Sequence, residues 1–200
     1  MTALAEAIPR PRGKSTNLVV DAVLVIGGSL FVAALAQVSI KLPFTPVPIT
    51  LQTFGVLLIG TAYGWRLAGL TFALYLAEIA IGLPFAAEGK GGSEILSIAT
   101  ASGGYLWGFL AAGLLCGWLA NRGWDRSVRS SISLMLLGTI VIYAFGVTWL
   151  MRALDVPLLK AFEFGLYPFI IGDLLKLLLA AGLLPAAWKL VGRDRPNAQP

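Results

Sequence analysis

Asp173 and Lys176 are the residues of this chain best placed to do chemistry. They interrupt an otherwise apolar run, FIIGDLLKLLLAAGLLPAAW. A charge within a membrane span costs several kcal/mol and usually serves a function. At i and i+3 on a helix the two share a face, so each neutralises the other. A carboxylate there accepts from N–H groups, and an ammonium donates to an anion or a carbonyl. The pair reads as a ligand site; the plain alternative is an ion pair that only packs helices.

Gly103, Gly104 and Tyr105 form a second candidate. They open an apolar run, and a helix start offers free backbone N–H groups with a partial positive charge. Glycine lets a ligand come close to that backbone, and Tyr105 adds an aromatic wall with a polar tip. Ser29 and Ala33 make a small-xxx-small pair that permits close approach of another helix, internal or belonging to a partner. Gly13-Lys14-Ser15 imitates the end of a phosphate-binding loop. The required Gly five residues before Gly13 is Ile8, and no strand precedes it, so no ATP site is expected.

Other chemistries lack their residues. There is no His, and the single Cys116 lies within an apolar run, LLCGWLA. That leaves no Cys/His metal site, no intramolecular disulfide and no His general base. No catalytic residue, metal or cofactor is expected. A membrane enzyme would be left with an Asp/Lys or Ser/Lys scheme. A channel would line its pore with repeated polar residues, which only one span approaches.

The elements that must position these residues follow from composition. Of 200 residues, 58% are hydrophobic and 12% charged, about half the charged share of a soluble domain. The mean hydropathy is +0.83. The net charge of +5 comes from scattered Lys and Arg, so no nucleic-acid-binding face is indicated. The chain reads as an all-α integral membrane protein with six transmembrane helices. The expected spans run from about Leu18 to Ile40, Pro48 to Tyr63, Arg66 to Gly82, Gly103 to Ala120, Ile132 to Met151, and Pro168 to Leu190. Residues 1–17 and 191–200 are tails about an 18–190 membrane domain. Pro43, Pro46 and Pro48 break the chain after the first span, where Thr45 or Thr50 is a candidate cap. Gly60 and Gly64 loosen the turn after the second. Residues 84–104 form a long Gly- and Ser-containing loop, a kind that is often functional.

Lys and Arg set the topology. Ten lie in the tails and loops of one side and four on the other, with Lys176 inside a span. Six spans with both termini cytoplasmic fit this bias. The charged pair and the two long loops then face outward.

The run Pro43-Phe44-Thr45-Pro46-Val47-Pro48-Ile49-Thr50-Leu51-Gln52-Thr53 resembles the hallmark of the BioY family. These are biotin-specific substrate-binding (S) components of energy-coupling factor (ECF) transporters. Gly82-Leu83-Pro84-Phe85, Gly103-Gly104-Tyr105 and Gly172-Asp173-Leu174-Leu175-Lys176 follow in the family's order. The resemblance covers about residues 18–190. Ala86, Ala87, Glu88, Gly89 and Lys90 depart from the Gly-rich stretch often found after the Leu-Pro.

The resemblance implies a six-helix S-component-like bundle in the bacterial cytoplasmic membrane. It implies biotin capture from outside, near the outer ends of the last three helices, with Asp173 and Lys176 contacting the ligand. Asp173 suits the ureido N–H groups; Lys176 suits the ureido carbonyl or the carboxylate. The loop with Pro43, Phe44, Thr45, Pro46 and Pro48 would act as a lid. Two ATP-binding proteins and a membrane coupling protein would power transport, the latter meeting Ser29 and Ala33. Another small-vitamin carrier using the same pair is the alternative.

Overall fold

The structure, a computed structural model, describes residues 3–7 and 14–193. Gly13 and the basic tail residues Arg10, Arg12 and Arg195 lie outside the described residues. A short α1 (Leu4–Ala7) precedes α2 (Lys14–Gln37), a two-stranded hairpin of β1 (Ser39–Ile40) and β2 (Ile49–Thr50), and α3 (Gln52–Ala80). Then come 3₁₀ turns at Ala87–Gly89 and Ser93–Leu96, α4 (Gly103–Ala120), α5 (Val128–Leu154), α6 (Leu158–Gly165) and α7 (Ile170–Arg193).

Five of these helices, α2, α3, α4, α5 and α7, are long and apolar enough to cross a membrane. α3 is two limbs. Gly64 breaks it with φ 74° and ψ 168°, a conformation that only glycine adopts freely. The limbs fold back on each other, since Gln52 near the start donates to the Tyr75 hydroxyl near the end at 2.7 Å. Six long segments therefore alternate in direction, as the residue pattern predicts.

One end of the bundle gathers Ala3 and Asn121 about Gly64, where an added Cβ would lie 2.9 Å from Ala3 Cβ and 2.7 Å from Asn121 Oδ1. Trp188 on α7 reaches the same end and donates to Asp125 at 2.6 Å. Both ends of the described chain thus lie together. Burial pushes the Asp125 carboxyl up, and the Trp188 indole N–H is the first of the groups that oppose it. Arg122 and Arg126 stack on Trp118 and Trp188 at 3.4 Å from the ring centres. The opposite end carries the β1–β2 hairpin, the 81–102 loop and α6.

α4 is the central element, packed against α3 on one side and α5 on the other. Its glycines make this possible. Gly113 and Gly117 face the α3 limbs, and a Cβ on Gly117 would lie 2.4 Å from the backbone of Gly64 and Trp65. Gly104 and Gly108 face α5. Without a hydrophobic drive between helices in lipid, such close backbone approach supplies the packing attraction. Cys116 is buried in this packing.

Outward faces are apolar. On α7, Leu174, Leu175, Leu178 and Leu179 are exposed, while Asp173, Lys176, Leu177 and Ala180 are buried. That is the polarity a lipid solvent demands.

Ser29 and Ala33 correct an expectation. Their residues are 0% and 5% exposed, so they offer no surface to a coupling protein. The Ser29 hydroxyl donates to Glu78 on the second limb of α3. Small residues were needed here because α2 lies on α3 and Glu78 needs a donor within the bundle.

Candidate ligand-binding site

The site is built on the first turns of α7. Asp173 sits in the first turn, where a negative charge is favoured by the free N–H groups. Lys176 follows one turn on and ion-pairs with Asp173 Oδ1 at 2.7 Å. Their residues are 5% and 8% exposed, so each charge needs its partners.

Those partners come from the segment that enters α3 and from α5. Lys176 Nζ donates to the Thr50 carbonyl at 2.7 Å and to Thr53 Oγ1 at 3.3 Å. With Asp173 Oδ1, this gives its three protons three acceptors. Thr53 Oγ1 donates to Asp173 Oδ1 at 2.9 Å. Tyr143 on α5 donates to Asp173 Oδ2 at 2.6 Å. Oδ1 is thus filled by two donors, and Oδ2 holds one with lone-pair capacity left. A carboxylate fixed this way is a pre-organised acceptor for an N–H donor.

This network borders a cavity of about 420 Å³. That lies within the roughly 300–1,000 Å³ usual for small-molecule sites. Tyr105, Leu106 and Phe109 of α4, Ile142 and Tyr143 of α5, and Phe169 before α7 form apolar and aromatic walls. Pro46, Val47 and Pro48 cover one side, and Ala86, Glu88 and Lys90 line another. At the rim, Glu88 accepts Lys41 and Lys90 at 2.6 Å each. Two cations against one carboxylate leave the rim with a positive balance.

The structure brings Asp173, Lys176, Tyr105, Pro46 and Pro48 to one cavity. The Tyr105 ring is a wall, but its hydroxyl is taken by the Gly165 carbonyl at 2.6 Å. Pro43, Phe44 and Thr45 lie beyond the cavity, around a recess shared with α6. Thr45 does not cap a helix; its hydroxyl donates to the Phe164 carbonyl at 2.5 Å, which seats the loop on α6. Thr50 meets the start of α3, accepting from Gln52 N at 3.2 Å.

Gly103 and Gly104 do not line the cavity. A Cβ on Gly104 would lie 2.2 Å from Trp149 Cβ and 2.7 Å from the Phe145 carbonyl. On Gly103 it would meet the Ile95 and Ser97 carbonyls and the Trp149 indole at 3.0–3.1 Å. Both glycines admit neighbouring protein rather than a ligand at those positions.

The residue pattern did not single out Thr53, Tyr143 or the Thr50 carbonyl. The available signal was polarity at span positions. Tyr143 is a hydroxyl in the middle of an uncharged span, and Thr53 ends the Pro-rich run.

Known proteins resemble this chain along most of its length. The sequence profile of the BioY family matches residues 9–193. The biotin transporter BioY of Rhizobium etli is 36% identical over 149 residues, covering 71% of this chain and 78% of that protein. The biotin transporter BioY of Thermotoga maritima is 37% identical over 142 residues, covering 71% of this chain and 81% of that protein. Among solved structures, the S-component for biotin from an ECF-type ABC transporter superposes with a TM-score of 0.76 at 26% identity. The match covers 90% of this chain and 95% of that one. Six alternating segments around a buried Asp–Lys pair, a profile that spans them and relatives similar through most of their length converge: the chain belongs to the BioY family.

Proposed function

We propose that this chain binds biotin in the cavity beside Asp173 and mediates its uptake as the S component of an ECF transporter. The observation that carries the reading is a buried carboxylate in the wall of an apolar, aromatic cavity, with lone-pair capacity left on Oδ2. Biotin presents two ureido N–H donors, a carbonyl, a thioether ring and a carboxylate on a flexible chain. A ureido N–H completes Asp173 Oδ2 beside the Tyr143 hydroxyl. The ring system fills the space between Tyr105, Phe109 and Phe169. Lys176 chiefly holds the Asp173 carboxylate in place, since its own protons are already matched. The ligand carboxylate meets the positive balance of the rim, with Lys90 as the cation that lines the cavity. The names of the relatives support biotin as substrate.

Energy comes from partners: a membrane coupling protein and two ATP-binding proteins. The chain sits in the bacterial cytoplasmic membrane with both termini cytoplasmic. The Lys and Arg bias supports that orientation, and Arg66, Arg122, Arg126, Arg129 and Lys189 belong to the turns and helix ends at the end of the bundle where the described chain starts and finishes.

Labelled biotin, added to the purified chain, should bind saturably and be displaced by unlabelled biotin but not by thiamine. Absence of saturable binding to folded protein would reject the reading. Orientation is read separately. A Cys at Ser93 should react with an impermeant thiol reagent on intact cells, and a Cys at Ser127 only after permeabilisation. The reverse pattern would invert the topology.

A further inference from the structure

A trough of about 870 Å³ runs along the outer surface between α4 and α5, on the side of these helices away from the biotin cavity. Trp107 and Leu114 form one wall, Phe145 and Trp149 the other, and Arg152 closes one end. Both indole N–H groups are already used. Trp107 donates to the Leu96 carbonyl and Trp149 to the Thr100 carbonyl, each at 3.1 Å. The walls therefore present only apolar surface to whatever fills the trough.

Its one end is different. Thr148 and Arg152 are one helical turn apart on the same face of α5, and both are exposed. Neither has a hydrogen-bond or ion-pair partner among the described residues. The nearest acid in sequence, Asp155, is the left-handed C-cap of α5 and makes no ion pair with Arg152. A free guanidinium and a hydroxyl above an aromatic trough suit a phosphate with a hydrocarbon tail. From Ala144 in the trough to Arg152, eight residues span about 12 Å. That is most of one leaflet's half of a hydrocarbon core about 30 Å thick.

We infer that this trough is a binding site for one anionic phospholipid, its phosphate on Arg152 and Thr148 and an acyl chain between Trp107 and Phe145. Phosphatidylcholine carries its own cation beside the phosphate, so a lone Arg favours the lipid that lacks one. The occupied trough braces Trp149, which is the residue that Gly104 admits between α4 and α5.

Native mass spectrometry tests this on the full chain in a neutral maltoside detergent. Phosphatidylglycerol and phosphatidylcholine with identical chains are added in equal amounts. The parent should retain phosphatidylglycerol over phosphatidylcholine by about fivefold, the usual weight of one interfacial cation. Arg152→Gln should bring the two to parity, while Arg152→Lys keeps most of the preference. Ala144→Trp, which fills the trough below, should reduce retention of phosphatidylglycerol with Arg152 still in place. Equal retention by the parent, a preference that survives Arg152→Gln, or displacement of the lipid by inorganic phosphate alone would overturn the inference. Arg152→Lys and Ala144→Trp keep the test decisive if Arg152→Gln proves unstable.

Discussion

Asp173→Asn is expected to weaken biotin binding by more than about 1.5 kcal/mol, or beyond tenfold, while the protein still inserts and folds. Three donors converge on this carboxylate: Lys176 and Thr53 on Oδ1, Tyr143 on Oδ2. An amide keeps one acceptor oxygen and turns the other position into a donor. That donor would face the Tyr143 hydroxyl or the Thr53 and Lys176 protons. Lys176 would also lose its counter-charge while only 8% exposed, which adds a stability cost. The double variant Asp173→Asn, Lys176→Met separates the two effects. It removes the stranded charge, so the thermal midpoint should recover toward the parent, whereas biotin binding should not. Isothermal titration and a melting curve on the same preparations read both. Parent-like affinity in the folded single variant would place the ligand elsewhere. Recovery of affinity in the double variant would make the pair a packing device only.

Gly104→Ala carries the second large effect, and on stability first. The added methyl would meet Trp149 Cβ and Cγ at 2.2 and 2.6 Å and the Phe145 carbonyl at 2.7 Å. Backbone and Cβ atoms cannot swing aside, so α4 and α5 must separate. Overpacking of this kind costs about 1–3 kcal/mol, more than the fraction that alanine gains as a helix former. Tyr105 on α4 and Tyr143 on α5 line opposite parts of the cavity, so biotin affinity should fall with the melting point. Gly182→Ala is the control, because a methyl there meets nothing within 4 Å. A Gly104→Ala protein with the parent's melting point and reduced affinity would return Gly104 to the ligand-contact role its sequence position suggests.

The span pattern was legible because a bilayer demands long apolar runs, and Pro and Gly punctuate them. Gly64 marks the reversal within α3 as the sequence indicates, since only a residue without a side chain freely adopts φ 74° together with ψ 168°. Asp173 and Lys176 stood out because charge is rare in apolar spans. The supporting atoms did not stand out. Thr53 and Tyr143 are ordinary residues whose role depends on α3, α5 and α7 meeting at one point. The Thr50 carbonyl is backbone and carries no residue-type signal at all.

Two further elements escaped for reasons of length. α6 is eight residues, LLKAFEFG, between two spans, and the hairpin strands are two residues each. Such short elements form because tertiary contacts hold them: Thr45 and Tyr105 bind the carbonyls of Phe164 and Gly165 at the end of α6. Gly104-x-x-x-Gly108 and Gly113-x-x-x-Gly117 on α4 are the spacing of close helix packing, and α4 uses one pair toward α5 and the other toward α3. Ser29-x-x-x-Ala33 has the same spacing and the same internal use. Spacing predicts that a helix packs closely but does not say on what.

The most direct measurement is an experimental structure of the purified chain with biotin bound. The account predicts the ureido ring against Asp173, with an N–H within hydrogen-bond distance of Oδ2, Tyr143 beside it, and Lys176 still on Thr50 and Asp173. Biotin outside this cavity, or within it with only its carboxylate approaching Lys176 and no N–H on Asp173, would contradict the account.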